Sequence, residues 1–200
     1  MAVVLLTSRL IFDVSRDART ATVAVRNKGE RPLLVQVSVL DQQGGTKTAF
    51  VATPALMRLE GDTEQKVTVR RVKDDLPADR ESAFQFKAKV IPPKGSGEAE
   101  TTLAIPFFYR PANLAGDPAA TPGRLSTNQE DGKLTLANPT PFFVTLASLS
   151  VGEDVLDIGD SAPIAPLGGT VSYALPSDTT GDVVWTAIGD SGDITPSYRQ

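Results

Sequence analysis

The stretch TTLAIPFFYRP, residues 101–111, decides how this chain is read. Leu103, Ile105 and Phe107 alternate with their neighbours, as in a strand with two different faces. Pro106 interrupts it. Proline has no backbone N–H, cannot donate to a ladder, and belongs at a sheet edge or a bulge. The stretch therefore predicts an edge strand that nevertheless carries alternating apolar side chains.

The first half reads as further strands. VVLLTSRLIF (3–12) is apolar and β-branched, with Arg9 inside it. TATVAVRN (20–27) alternates with period two and runs into the turn Asn27-Lys28-Gly29-Glu30. PLLVQVSVLD (32–41), FVATPALMRL (50–59), QKVTVRRV (65–72) and SAFQFKAKVI (82–91) continue at a spacing of roughly ten residues, which favours a β-sandwich. Residues 74–81 are a polar connection with room for one helical turn. PANLAGDPAATPG (111–123) changes the composition and reads as a link between domains. Beyond it, GKLTLANP, FFVTLASLSV, TVSYALP and VVWTAI make a second, smaller sandwich, with Trp185 in its core. The expected organisation is all-β: a first domain over 1–113, a linker over 114–122 and a second domain over 123–200.

Composition narrows the function. The chain has 200 residues, 15 prolines, 16 glycines and a net charge of −4, so no overall basic footprint for nucleic acid. It lacks cysteine and histidine. That removes thiolate catalysis, thiolate or imidazole metal sites and the commonest general base near neutral pH. Among carboxylates, lysines and hydroxyls no motif specifies a reaction, although glycosidase chemistry needs only two carboxylates. The expectation is a binding module rather than an enzyme, with no catalytic residue, metal or cofactor. MAVVLLTSR is too short for a secretory signal and has no basic residue before its apolar run. No 18-residue apolar stretch exists to span a membrane.

Six motifs occur in order: SRLIFD (8–13), FVATPALMRLEGD (50–62), LPADRESAFQFKAKVIPP (76–93), PFFYRP (106–111), LANPTPFFVT (136–145) and IGDSGD (188–193). Together they resemble the PapD-like periplasmic chaperones of pilus assembly by the chaperone–usher pathway. The resemblance implies two immunoglobulin-like β-sandwich domains at an angle with a cleft between them. It implies pilin (fimbrial) subunits as partners, held in the periplasm and delivered to an outer-membrane usher, with self-association through the same edge left open. The mechanism it implies is donor-strand complementation, a form of β-augmentation, in which the chaperone lends a strand to a pilin that lacks one.

The resemblance assigns Thr101, Leu103 and Ile105 as donor-strand residues; periodicity alone allows them equally to serve their own core. Burying two such apolar side chains contributes about 3–6 kcal/mol before association entropy is subtracted. Backbone pairing, or Val3 and Leu5 on the first strand, must then add to it. Arg9 stands where the family anchors the pilin's C-terminal carboxylate, which a guanidinium suits by forking two N–H groups onto it; the alternative is a strand-end arginine facing solvent. The family's second anchoring cation, a lysine, falls at Pro106, which supplies neither charge nor donor. Lys87 and Lys89, opposite in direction to Phe84 and Phe86, are candidates to replace it, or else solvated lysines that keep an exposed face soluble. Failing replacement, the chain is a divergent relative without standard pilin anchoring. Glu81, Arg110 and Asp190 match a charge network between the domains, against the alternative of three unrelated surface charges. Asn138-Pro139-Thr140-Pro141 is a structural turn, with Phe142 and Phe143 packing in the second domain. The short polar loop PPKGSGEAE (92–100) resembles the subclass that serves rod-like or adhesive pili.

Overall fold

The computed structural model describes residues 3–16, 18–160 and 162–200. It divides into two units: Met1–Pro77 with Ser82–Ala112, and Ala78–Glu81 with Asn113–Gln200.

The first unit holds β1 (Val3–Leu5), β2 (Leu10–Asp13), β3 (Thr20–Asn27), β4 (Leu33–Leu40), β5 (Phe50–Thr53), β6 (Leu56–Leu59), β7 (Glu64–Arg71), β8 (Ser82–Ile91) and β9 (Thr101–Arg110). They form a four-stranded sheet, β1-β3-β7-β5, and a five-stranded sheet, β2-β9-β8-β4-β6. The alternation seen in the sequence is the alternation of burial. Along β3 the residues Ala21, Val23 and Val25 are buried while Thr20 and Thr22 are exposed. The core between the sheets centres on aromatic rings. Phe50 meets Phe107 at 4.8 Å and Phe84 at 5.0 Å, centroid to centroid, both edge-on.

Two expected strands are each split. The run 3–12 breaks after Leu5, so that β1 joins one sheet and β2 the other. Val3, Leu10 and Phe12 still bury in the same core. The run 50–59 breaks at Pro54, with β5 pairing β7 and β6 pairing β4. A proline at such a corner forfeits no ladder bond. The connection 74–81 contains bends and no helical turn. Pro77 disfavours helical backbone at Leu76 and leaves the segment without room for a turn of helix.

The second unit holds β10 (Ser126–Glu130), β11 (Lys133–Asn138), β12 (Leu146–Val151), β13 (Asp154–Val155), β14 (Gly169–Ala174), β15 (Val183–Ala187) and β16 (Tyr198–Arg199), in sheets β10-β11-β14 and β13-β12-β15-β16. Trp185 is buried in its core, and its indole N–H donates to the Pro122 carbonyl at 2.8 Å. Phe142 is buried and Phe143 half-buried.

One device recurs. Asn27 ends β3 and Asn138 ends β11, and both are fully buried. The Asn27 amide donates to the carbonyl of Arg31 at 2.8 Å and to those of Leu59 and Glu60 at 3.2 Å. The Asn138 amide donates to the Phe142 carbonyl at 2.7 Å, and its oxygen accepts from the Thr140 N–H and hydroxyl. A buried amide costs little once all its groups are bonded, and here it fixes the turn that follows. For Asn138 that turn is the Asn-Pro-Thr-Pro segment.

Candidate functional site

The site is built on β9. β8 pairs with it along nearly its whole length, from Val90↔Thr101 to Ser82↔Tyr109. β2 pairs on the other side, in parallel, only from Leu10↔Phe107 to Asp13↔Arg110. Among the described residues, Thr101–Pro106 therefore has one sheet neighbour and an open flank.

Pro106 fits this edge without breaking the ladder. The β8–β9 ladder runs unbroken across Gln85↔Pro106. In an antiparallel pair, hydrogen-bonded and non-bonded positions alternate. A proline leaves the ladder intact only at a non-bonded position, so the Pro106 nitrogen faces away from β8. By the same alternation Thr102 and Ala104 turn their N–H and C=O groups to the open flank, while residues 101, 103 and 105 bond inward to β8. The edge is thus a short row of free backbone groups ending at a residue with no donor.

The odd-numbered side chains face the sandwich interior. Ile105 is buried, at 8% exposure, and belongs to the core of its own unit. Leu103 and Thr101 are half-buried, and Leu103 packs on the core margin, as does Leu5 of β1. Leu103 is accordingly the candidate donor side chain with the most apolar surface to give, and Ile105 has little.

The even-numbered side chains share the outer face of the five-stranded sheet with the cations. Arg9 immediately precedes β2, whose first pair is Leu10↔Phe107, so it stands beside Pro106. It is largely buried, and its guanidinium lies 4.9 Å from the Phe108 ring centroid, a cation–π contact that fixes its direction. Lys87 stands opposite Ala104, the next pair after Gln85↔Pro106 on the same face of the sheet. It is half-buried and makes no ion pair among the described residues. Lys89 is engaged: its ammonium lies 2.6 Å from the Glu100 carboxylate.

An extra strand laid along this flank would have about six residues, or roughly 20 Å, of β9 to follow. It must stop where β2 begins, beside Arg9. A chain end suits that stop, and a cation there favours a carboxylate end, which sets the added strand parallel to β9. Charge distribution agrees. The first unit has sixteen Lys and Arg against eleven Asp and Glu, and the second four against thirteen, so the overall −4 conceals a basic first unit.

Two of the three expected network residues, Arg110 and Glu81, have partners within their own units. Arg110, buried, lies 3.6 Å from the Asp13 carboxylate, the residue opposite it in the β2–β9 register. Glu81, buried, accepts from the Phe143 N–H at 2.8 Å, and its own N–H donates to the Pro141 carbonyl at 2.9 Å. Asp190 is exposed in the turn after β15. Next to Glu81, the Arg80 side chain hydrogen-bonds Asp79 and holds its carboxyl below the usual range. Asp13 and Phe108 were not singled out by sequence reasoning. Only the parallel β2–β9 register reveals them, and no local motif encodes it.

Residues 2–115 match the pili and flagellar-assembly chaperone family, PapD N-terminal domain, and residues 120–199 the pili assembly chaperone PapD, C-terminal domain. The chaperone protein AggD of Escherichia coli is 31% identical over 211 residues, covering 96% of this chain and 82% of AggD. The E. coli chaperone DraB superposes with a TM-score of 0.87 at 30% identity, covering 99% of this chain and 96% of DraB. A chain from the Salmonella enterica SafA pilin–SafB chaperone complex gives a TM-score of 0.90 at 27% identity, covering 100% of this chain and 96% of that one.

Proposed function

The chain belongs to the PapD family of pili-assembly chaperones, and on that premise we propose that it holds pilin subunits by lending them the open half of β9. The observation that carries the reading is the flank of Thr101–Pro106, bordered by β8 on one side only. In this reading the pilin adds a strand there. Thr102 and Ala104 supply backbone bonds, and Leu103, with Thr101 and Ile105 on the same face, contributes apolar surface. Arg9 receives the subunit's C-terminal carboxylate. The pairing takes place in the periplasm, and the subunit passes from it to an outer-membrane usher. No helix among the described residues is long and apolar enough to cross a membrane.

Burial of Ile105 shapes the test. A charge placed there would damage the chaperone's own core, so loss of binding would be uninformative. The backbone is the better target. Ala104→Pro removes an outward N–H at a position where, as at Pro106, the β8 ladder is spared. Co-expression of the wild-type chain with its pilin is expected to give a soluble one-to-one complex. Ala104→Pro is expected to leave unfolding within about 1 kcal/mol of wild type and to abolish the complex. A full yield of complex from a folded Ala104→Pro chain would overturn the reading.

A further inference from the structure

We propose that Lys87 is the second cation of the carboxylate site, taking over what position 106 gives up by being proline. The inference rests on the donor-edge reading above and deepens it. Pro106 subtracts a backbone N–H at the point where an added strand must end. The last oxygens of that strand therefore meet no main-chain donor from β9, and side chains have to satisfy them. Arg9 is one such side chain, held over Phe108. A carboxylate has two oxygens with lone pairs for more than one donor.

Three groups beside Arg9 face this spot from the neighbouring strand. Gln85 is directly opposite Pro106, exposed and uncharged. Lys87 is the diagonal neighbour, one pair further along the same face, at a separation long side chains bridge. Its other cross-strand neighbour is Ser38, so no anion on β4 or β9 stands opposite it. Lys89 is one pair further still and is held by Glu100 at 2.6 Å. The two lysines, equivalent in the alternation of β8, are thus distinguished by their partners and their distance from Arg9. The assignment gives the edge a specificity: it accepts a chain terminus and rejects an internal segment, whose final carbonyl would face Pro106 without a donor.

The probe is an N-acetylated nonapeptide of alternating valine and threonine, prepared with a free C-terminal carboxylate or as the amide, titrated calorimetrically into the full-length chain. Lys87→Gln is expected to weaken the free-acid peptide by roughly tenfold and to leave the amide unchanged, as loss of one charge-assisted bond predicts. Lys89→Gln changes neither. Pro106→Lys, added to Lys87→Gln, restores the free-acid affinity, which a merely structural role of Lys87 would not allow. If Lys87→Gln binds the free acid as wild type does while Arg9→Gln weakens it, the Lys87 assignment is overturned and the donor edge stands. If the wild-type chain binds neither peptide, both fall.

Discussion

From Phe107 to Tyr109, β9 lies between β2 and β8, and these residues and Arg110 after them are all buried. From Thr101 to Pro106 it has β8 alone, and Thr102, Ala104 and Pro106 are exposed. The contrast shows how one strand serves two ends. Its sealed half is clamped into the sandwich, and that clamp holds the open half in extended geometry before any partner arrives. A pre-ordered edge spares an incoming chain part of the ordering cost of association. Protection against promiscuous pairing follows from the shortness of the open row, the proline at its end and the cations on its outer face, all devices that blunt an edge.

The contrast predicts a division between stability and binding, and the largest effect belongs to the sealed half. Phe107 is fully buried against Phe50, Phe84 and Phe12. Phe107→Ala is expected to destabilise the first sandwich by about 3–5 kcal/mol, seen as a lowered urea midpoint. A loss under about 1 kcal/mol would mean that β2 and β8 do not clamp this half as described.

The boundary between the halves is sharpened by a pair of smaller changes. Ile105→Ala should cost about 2 kcal/mol, at the low end for such a truncation because the site lies near an open flank. Leu103→Ala, at the core margin, should cost about 1 kcal/mol, yet weaken pilin capture more than Ile105→Ala does. Equilibrium unfolding and pull-down yield, measured on the same two variants, should rank them in opposite orders. Matching order would place both side chains wholly in the chaperone's own core and leave the donor role to the backbone.

How much of this was legible in the sequence follows from the range of the interactions. Alternation in TATVAVRN and SAFQFKAKVI revealed β3 and β8 because one buried face imposes period two on a strand. Pro106 announced an edge because a missing donor is a local fact. The sheet switch between Leu5 and Leu10 was hidden, since both strands bury their apolar faces in the same core and the apolar run continues through the switch. β10, with the sequence STNQE, was invisible because its side chains are mostly exposed and its pairing with β11 is a backbone matter. At the site, Arg9 was found through a resemblance. Its seat on Phe108 and the pairing of Arg110 with Asp13 depend on a parallel register between residues nearly a hundred positions apart, which no window of sequence displays.

The smallest expected effect tests where the open half begins. Lys89 and Glu100 form an ion pair just before β9, with side chains 38% and 55% exposed. Such a pair gains little in water and loses side-chain freedom, so a double-mutant cycle with Lys89→Gln and Glu100→Gln should give a coupling under about 0.5 kcal/mol, shrinking further with added salt. A coupling above roughly 1 kcal/mol would show that the pair staples the loop to β8. The open flank would then be restrained at both ends, by β2 beyond Pro106 and by this ion pair before Thr101. An incoming strand would have to fit between two fixed points, and its length, as well as its terminal charge, would become a basis for selection.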